Sequence, residues 1–282
     1  MRLISWNVSR AGQARIPHQV AALADRAPDI VALQEVRVNR VSEYRRALHA
    51  AGFAHVMDGF AGVSTALGSK RASGVLIASK WECTAASPLI GLPWPERLLS
   101  VIVATAWGRV ELHTAYVPVT YGGRDLAVRI QTLEQLYAGL ARPVAGHRIL
   151  CGDFNLPQHE TADGEVITFG QTRRANGLFA VTNAAMHASE QKVLTGLAAY
   201  DLADVYRTLH GYARQEFSWR HASSGNGFRL DHALASRTLG ARECRYLDEF
   251  RTAKSEAYTG LGFVTLSDHA AMEVDFAPAP AR

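Results

Sequence analysis

Five short polar clusters, each set beside an apolar run of strand length, constrain this chain more than any other feature. They read Ser5-Trp6-Asn7-Val8, Leu33-Gln34-Glu35-Val36, Gly152-Asp153-Phe154-Asn155, Arg229-Leu230-Asp231-His232 and Leu266-Ser267-Asp268-His269-Ala270. A polar residue that ends or begins a buried strand is anchored by the core and sits where a sheet gives way to loop. Because the clusters run from one end of the chain to the other, the fold must gather distant strand ends.

Apolar runs bounded by turn residues predict strands at 3–8, 30–34, 75–78, 98–106, 110–116, 148–151, 229–235 and 271–276. Trp107-Gly108-Arg109 joins two of them as a hairpin, being too short for a crossover. Helical periodicity covers 17–26 with Pro17 at its start, 42–51 with Gly52 as its stop, 126–140, and a shorter stretch at 202–209. Hairpins mixed with βα units predict an α/β chain of two packed sheets covered by outer helices rather than one doubly wound sheet. Without repeats or linker-like composition, residues 1–276 read as one domain and 277–282 as a disordered tail. The segment 157–199 is the least patterned, and its polar stretch 158–165 reads as a loop over the site.

A hydrophobic fraction of 48% in 282 residues is enough for a sizeable core. Three widely spaced cysteines, with no C-x-x-C pair, argue against a disulfide framework or a structural zinc site and suit a reducing cytoplasm. The start of the chain reads as a strand, not a signal peptide, and no apolar run of about 18 residues suggests a membrane span. A formal charge of +4 suits a polyanionic partner.

Asn7 and Glu35 both end predicted strands, and parallel neighbours would set them side by side at one sheet edge. Amide oxygen and carboxylate are hard ligands, suited to Mg²⁺ or Mn²⁺ and poor for zinc. Asp153 and Asn155, two apart, project the same way if the chain stays extended, where they can hold and activate a water. Gly152 before them allows close backbone approach. Asp231 and His269 make a carboxylate–imidazole pair, in which the carboxylate fixes the tautomer and raises ring basicity. Asp268, one residue earlier, faces the metal in this reading. His55, His147, His187, His210, His221 and His232 read as surface residues, whereas His113 lies three residues before Tyr116 on a strand leading to the site.

The order of Ser-Trp-Asn-Val, Leu-Gln-Glu-Val, Thr-Ala-Tyr-Val-Pro around Tyr116, Gly-Asp-Phe-Asn, Phe-Arg-Leu-Asp and Ser-Asp-His resembles the endonuclease/exonuclease/phosphatase superfamily over residues 3–276. Within it the chain is most similar to the exonuclease III and abasic-endonuclease branch. The resemblance implies a four-layered α-β-β-α sandwich, with a metal site at one edge of the two sheets. It makes Glu35 the chief metal ligand, with Asn7 and Asp268 close to the ion. Asp153, assisted by Asn155, would orient or deprotonate the attacking water, and His269, Asp231 and Tyr116 would stabilise the transition state. Four positions depart from the branch. Ser9 stands in place of Asp or Asn, Val119 in place of Asn or Gln, and Gln-Glu-Val-Arg in place of Gln-Glu-Thr-Lys.

By the same resemblance, Trp219, Phe228 and Leu230 would wall a small apolar pocket for a base-less sugar, which is the cheapest nucleotide to extrude. Arg37, Arg40, Lys70, Arg71, Arg124, Arg173, Arg174 and Arg220 fall in predicted loops and could track a phosphate backbone, Arg124 foremost. The expected protein is a cytoplasmic monomer with Mg²⁺ or Mn²⁺ as cofactor and double-stranded DNA as partner. It would cut 5′ to an abasic site or trim 3′ ends. RNA, a protein–DNA adduct or a small phosphate ester is the alternative substrate, favoured by Ser9, Val119 and the long 157–199 segment. A non-catalytic nucleic-acid-binding module is the reading from a different class, and the complete set of polar groups argues against it.

Overall fold

A computed structural model describes residues 1–63, 71–86, 91–119, 123–252 and 265–277. In chain order the strands are β1 (Arg2–Asn7), β2 (Ile30–Arg37), β3 (His55–Asp58), β4 (Ser73–Ser79), β5 (Cys83–Ala85), β6 (Leu98–Thr105), β7 (Gly108–Tyr116) and β8 (His147–Asp153). Then come β9 (His159–Glu160), β10 (Val166–Ile167), β11 (Gln171–Arg173), β12 (Phe179–Val181), β13 (Ala203–Asp204), β14 (Trp219–Arg220), β15 (Gly227–Phe228), β16 (Asp231–Ala235), β17 (Ala241–Leu247) and β18 (Ala271–Phe276). The helices are α1 (Ile16–Asp25), α2 (Val41–Ala50), α3 (Gly123–Leu140), α4 (Ala184–Leu194), α5 (Val205–His210) and α6 (Glu249–Thr252).

Two six-stranded sheets form, in the orders β17-β18-β1-β2-β4-β3 and β13-β16-β8-β7-β6-β5. Among the described residues only β1–β2 and β7–β8 pair in parallel, so both sheets are mixed. Strand period decides the layers. Leu3, Ile30, Ala32, Leu112, Ile149, Cys151, Ala233 and Met272 face inward and make the core between the sheets. The alternate residues Ile4, Trp6, Val31 and Leu33 face outward against Ile16, Val20 and Leu23 of α1 and Tyr44 and Leu48 of α2. On the other sheet Leu150, Phe154 and Leu234 meet Leu133 and Leu136 of α3 and Val193 and Leu194 of α4. This is the four-layered α-β-β-α arrangement expected.

The sequence reading needs correction in four places. First, 157–199 is not a patternless loop: it folds as the hairpins β9–β10 and β11–β12 followed by α4, which Asn183 caps through Met186 N–H. Strands of two or three residues are too short to show a period, which is why they are invisible in the sequence. Second, Glu160 in its polar stretch is buried, accepting hydrogen bonds from Arg229 (2.7 Å) and Arg207 (2.7 Å). Third, the helix predicted at 202–209 starts only at Val205, because Asp204 pairs in β13 and then caps it, accepting from Arg207 N–H at 3.0 Å. Fourth, the strand predicted at 229–235 starts at Asp231, and β3, β5, β14, β15, β17 and α6 lie where no element is predicted.

Candidate active site

The inter-sheet layer changes character toward one end. Ser5, Gln34 and Thr114 sit one strand period beyond apolar Leu3, Ala32 and Leu112. Gln34 Nε2 joins them by donating to Ser5 Oγ (3.2 Å) and Thr114 Oγ1 (3.0 Å). One further period brings Asn7, Tyr116 and Asp153 to the ends of β1, β7 and β8, with Tyr116 and Asp153 in register. Asp231 enters from β16, paired directly with Asp153. Each polar group is thus aimed inward by the same alternation that buries the core below it. Gly152 (φ +140°) is required, since a Cβ there would lie 2.0 Å from the Ala115 carbonyl oxygen.

Asp153 is the hub. Asn7 Nδ2 donates to its Oδ2 at 2.8 Å, Asn155 Nδ2 to the same oxygen at 3.2 Å, and Asn155 N–H to Oδ1 at 2.9 Å. Asn155 is not extended as the sequence suggested: its φ is +53°, and its side chain reaches Asp153 by folding back. Burial, then the nearby Asp231 carboxylate, push the Asp153 carboxyl up to about 7, against the pull of His269 and Asn7.

His269 Nδ1 lies 2.8 Å from Asp231 Oδ2. Burial alone would lower this imidazole, but Asp231, with Asp153 and Asp268, raises it to about 10, so it is a cation at neutral pH. Ser267 positions the preceding loop by donating to Asn7 O (2.6 Å) and accepting from His269 N–H (3.1 Å). Ser218 Oγ accepts from Leu230 and Asp231 N–H. Among the described residues, Asp153, Asp231 and His269 bring three ligand atoms within 4.8 Å of one another. The mutual hydrogen bond of Asp231 and the charged His269 makes this a proton-holding group more than a cation cage.

Glu35 lies in the left-handed region (φ +59°), at a break in the β2–β4 register. That twist turns its carboxylate into the site, where it accepts from Tyr116 Oη (2.6 Å) and faces Arg10 Nε (3.4 Å). Tyr116 therefore reaches Glu35 rather than the Asp231–His269 pair. Burial and Glu35 hold its phenol above the ordinary range, so it stays a donor. Asn7 is committed at both ends, to Asp153 and, through Oδ1, to Ser9 N–H at 2.9 Å. Asp268 is exposed at the mouth, 3.4 Å from Trp219 Nε1.

A cavity of about 390 Å³ opens at this point, lined by Glu35, Asp153, Asn155, Asp268 and His269 on its polar side. Trp219, Phe228, Leu230 and Val119 form its apolar side, with the Trp219 and Phe228 rings 5.7 Å apart across the β14–β15 hairpin. Phe217 instead packs against Gly227. His221, read as a surface histidine, also lines the cavity, and two further lining residues escaped the sequence reading, Arg129 and Phe169. Neither carries a motif; only Phe169-Gly170, an aromatic before a glycine, was a hint.

The basic residues divide. Arg40 and Arg71 are taken up by Glu43 and Glu96, Arg220 lies over the Phe217 ring, and Arg173 and Arg174 stand at the exposed end of the β11–β12 hairpin. Lys70 and the side chain of Arg124 lie outside the described residues. His232 is not a surface residue. It is buried, stacked on Phe154, and bonded to Leu156 O (2.7 Å) and Asp204 (3.3 Å). His113 is buried beside Ser100. Among the described residues, no helix is long and apolar enough to cross a membrane.

Solved structures share this fold across almost their whole length. An AP endonuclease from Archaeoglobus fulgidus superposes with TM-score 0.69 at 21% identity, covering 98% of this chain and 99% of that one. A 3′-5′ exonuclease from Neisseria meningitidis gives 0.67 at 22%, with the same coverage. Humanized D. rerio TDP2 gives 0.63 at 17%, covering 98% of both chains. No curated protein matches the sequence. The family model described as Endonuclease/Exonuclease/phosphatase family matches residues 4–269, from β1 to the histidine of the site, and the chain belongs to that family.

Proposed function

We propose that this protein is a Mg²⁺- or Mn²⁺-dependent phosphodiesterase acting on double-stranded DNA, as an abasic-site endonuclease, a 3′-exonuclease or both. The observation that carries this is the buried Asp153 carboxylate, held by Asn7 and Asn155 beside a cationic His269. Family membership supports a hydrolase of phosphate esters. An AP endonuclease and a Neisseria 3′ phosphatase bound to product DNA, both similar in fold to this chain, support DNA as the substrate.

A divalent ion fits the residues present. Asp231 and Glu35 both push the Asp153 carboxyl upward, so the acidic groups repel one another in a poorly solvated space that a cation would relieve. Oxygen donors of this kind suit Mg²⁺ or Mn²⁺. Glu35 and Asp268 would hold the ion, with the second lone pair of Asn7 Oδ1 near it. When bound, the ion would polarise the phosphate and lower the pKa of water.

The chain supplies the rest. Asp153 accepts the proton of the attacking water as a general base, its oxygens oriented by Asn7 and Asn155, while the P–O3′ bond breaks and the departing 3′ oxygen takes a proton from solvent. The His269 imidazolium, fixed by Asp231, stabilises the charge that grows on the phosphoryl oxygens. Tyr116 keeps Glu35 in its strained rotation. Trp219, Phe228 and Leu230 receive the extruded nucleotide. Ser9 and Val119 leave the RNA, adduct and small-ester alternatives in view.

The test is a labelled duplex carrying one tetrahydrofuran abasic analogue, run beside intact duplex and RNA, with Mg²⁺ and with chelator. Metal-dependent incision 5′ to the analogue or loss of 3′ nucleotides is expected; activity confined to RNA or a generic diester would overturn the DNA assignment. Glu35→Ala is expected to raise the Mg²⁺ concentration for half-maximal rate roughly 10- to 100-fold, the range for perturbed metal sites. It should also erase most of the Mg²⁺-induced rise in melting temperature. An unchanged Mg²⁺ titration would remove Glu35 from the ligand set.

A further inference from the structure

We propose that Phe169 makes the cavity selective for a leaving nucleotide that still carries its base. This rests on the DNA-phosphodiesterase reading and narrows it toward 3′-end trimming.

The backbone under Phe169 is clamped. Thr168 is buried, its N–H donating to Gln171 Oε1 at 2.9 Å and its hydroxyl meeting His187 Nδ1 at 2.9 Å. Gly170 lies so close to α4 that a Cβ would come within 2.4 Å of His187 N, and its carbonyl accepts from Thr182 and Asn183 N–H. Phe169 N–H donates to Glu190 Oε2 at 2.9 Å. Glu190 is fully buried and its other oxygen takes Arg129 at 2.9 Å. Arg129 in turn donates to Asn155 O at 2.7 Å and Pro118 O at 3.0 Å. A buried ion pair thus ties Phe169 to the loop that carries the water-activating pair.

Phe169 as a residue is 37% exposed and lines the cavity, with the Arg129 guanidinium 5.6 Å from its ring centroid. A lone exposed aromatic needs no explanation. One whose backbone is anchored to a buried salt bridge, in a cavity shared with Trp219 and Phe228, is a stacking surface. A base-less sugar has no π-face to use it, whereas every nucleobase does, and stacking of this kind is worth roughly five- to 150-fold on loss of the aromatic. The cavity therefore combines an apolar wall for sugar with an added aromatic face for the attached base.

The experiment compares two duplexes that differ only in the 3′-terminal nucleotide, 2-aminopurine or tetrahydrofuran. The ratio of their kcat/KM values is measured for wild type, F169A and F169W. F169A is expected to lower the base-bearing/abasic ratio roughly tenfold or more, and F169W to restore it. In chelator, quenching of 2-aminopurine fluorescence on binding should weaken in F169A. An unchanged ratio, or equal losses on both duplexes, overturns the inference while leaving the DNA reading standing. Wild-type protein that neither binds nor hydrolyses either duplex overturns both.

Discussion

Asp153→Asn is expected to reduce turnover on DNA by roughly 10²- to 10⁴-fold, the usual contribution of a positioned general base, while binding of the duplex persists. Both Asp153 oxygens already accept from amide donors, Asn7 Nδ2 and Asn155 Nδ2 at Oδ2 and Asn155 N–H at Oδ1. A carboxamide has one acceptor where these donors need two, so either orientation sets an NH₂ against an NH and disturbs the water position as well as removing the base. Folding should respond in the opposite sense. In wild type the carboxyl is raised from its ordinary 3.8 to about 7, so the folded state holds a proton that the unfolded state has released. Stability then falls as pH rises from about 4 through 7, and the asparagine variant escapes that loss. Metal-free melting curves should show the variant gaining on wild type between pH 5 and 8. Wild-type turnover in Asp153→Asn would refute the assigned role.

Glu160→Ala is expected to be the most destabilising of the simple substitutions, costing about 3–5 kcal/mol, as breaking a buried ion pair does. Glu160 joins Arg207 and Arg229, both nearly buried, and Arg229 continues to Asp204 at 2.8 Å. Alanine leaves two buried guanidiniums to one remaining carboxylate. A melting-temperature drop on the order of 10 °C follows for a chain of this size; a drop under about 2 °C would mean that water reaches the two arginines. Burial alone would raise the Glu160 carboxyl, but Arg229 and Arg207 overcome it and hold it at about 2 instead of 4.5. A depressed acid stabilises fully above its unfolded value. The gap between wild type and variant should therefore be constant above about pH 5 and shrink as pH falls toward 2.

Alternating strands reveal themselves in sequence because their period is two and the core enforces it. Leu3, Ser5 and Asn7, or Ile149, Cys151 and Asp153, announce both the buried face and the polar group that ends it. The apolar faces of α1 and α2 are legible for the same reason. Glu35 was found by its motif, yet its orientation depends on a left-handed backbone that no pattern encodes. The segment 157–199 was misread because Glu160, Phe169 and Glu190 acquire meaning only through partners 69, 40 and 61 positions away, counting Arg229, Arg129 and Arg129 in turn. A buried carboxylate and a solvated one look alike in a string of letters.

Sequence by itself determined which strands face inward and which acids, amides and histidine stand at their ends, since both follow from local period and composition. Tertiary structure alone decided that Tyr116 belongs to Glu35, that His232 is buried, and that Arg129 and Phe169 reach the cavity. Those are pairings between distant segments, and their energy comes from desolvation and mutual charge, which exist only once the sheets have closed on each other.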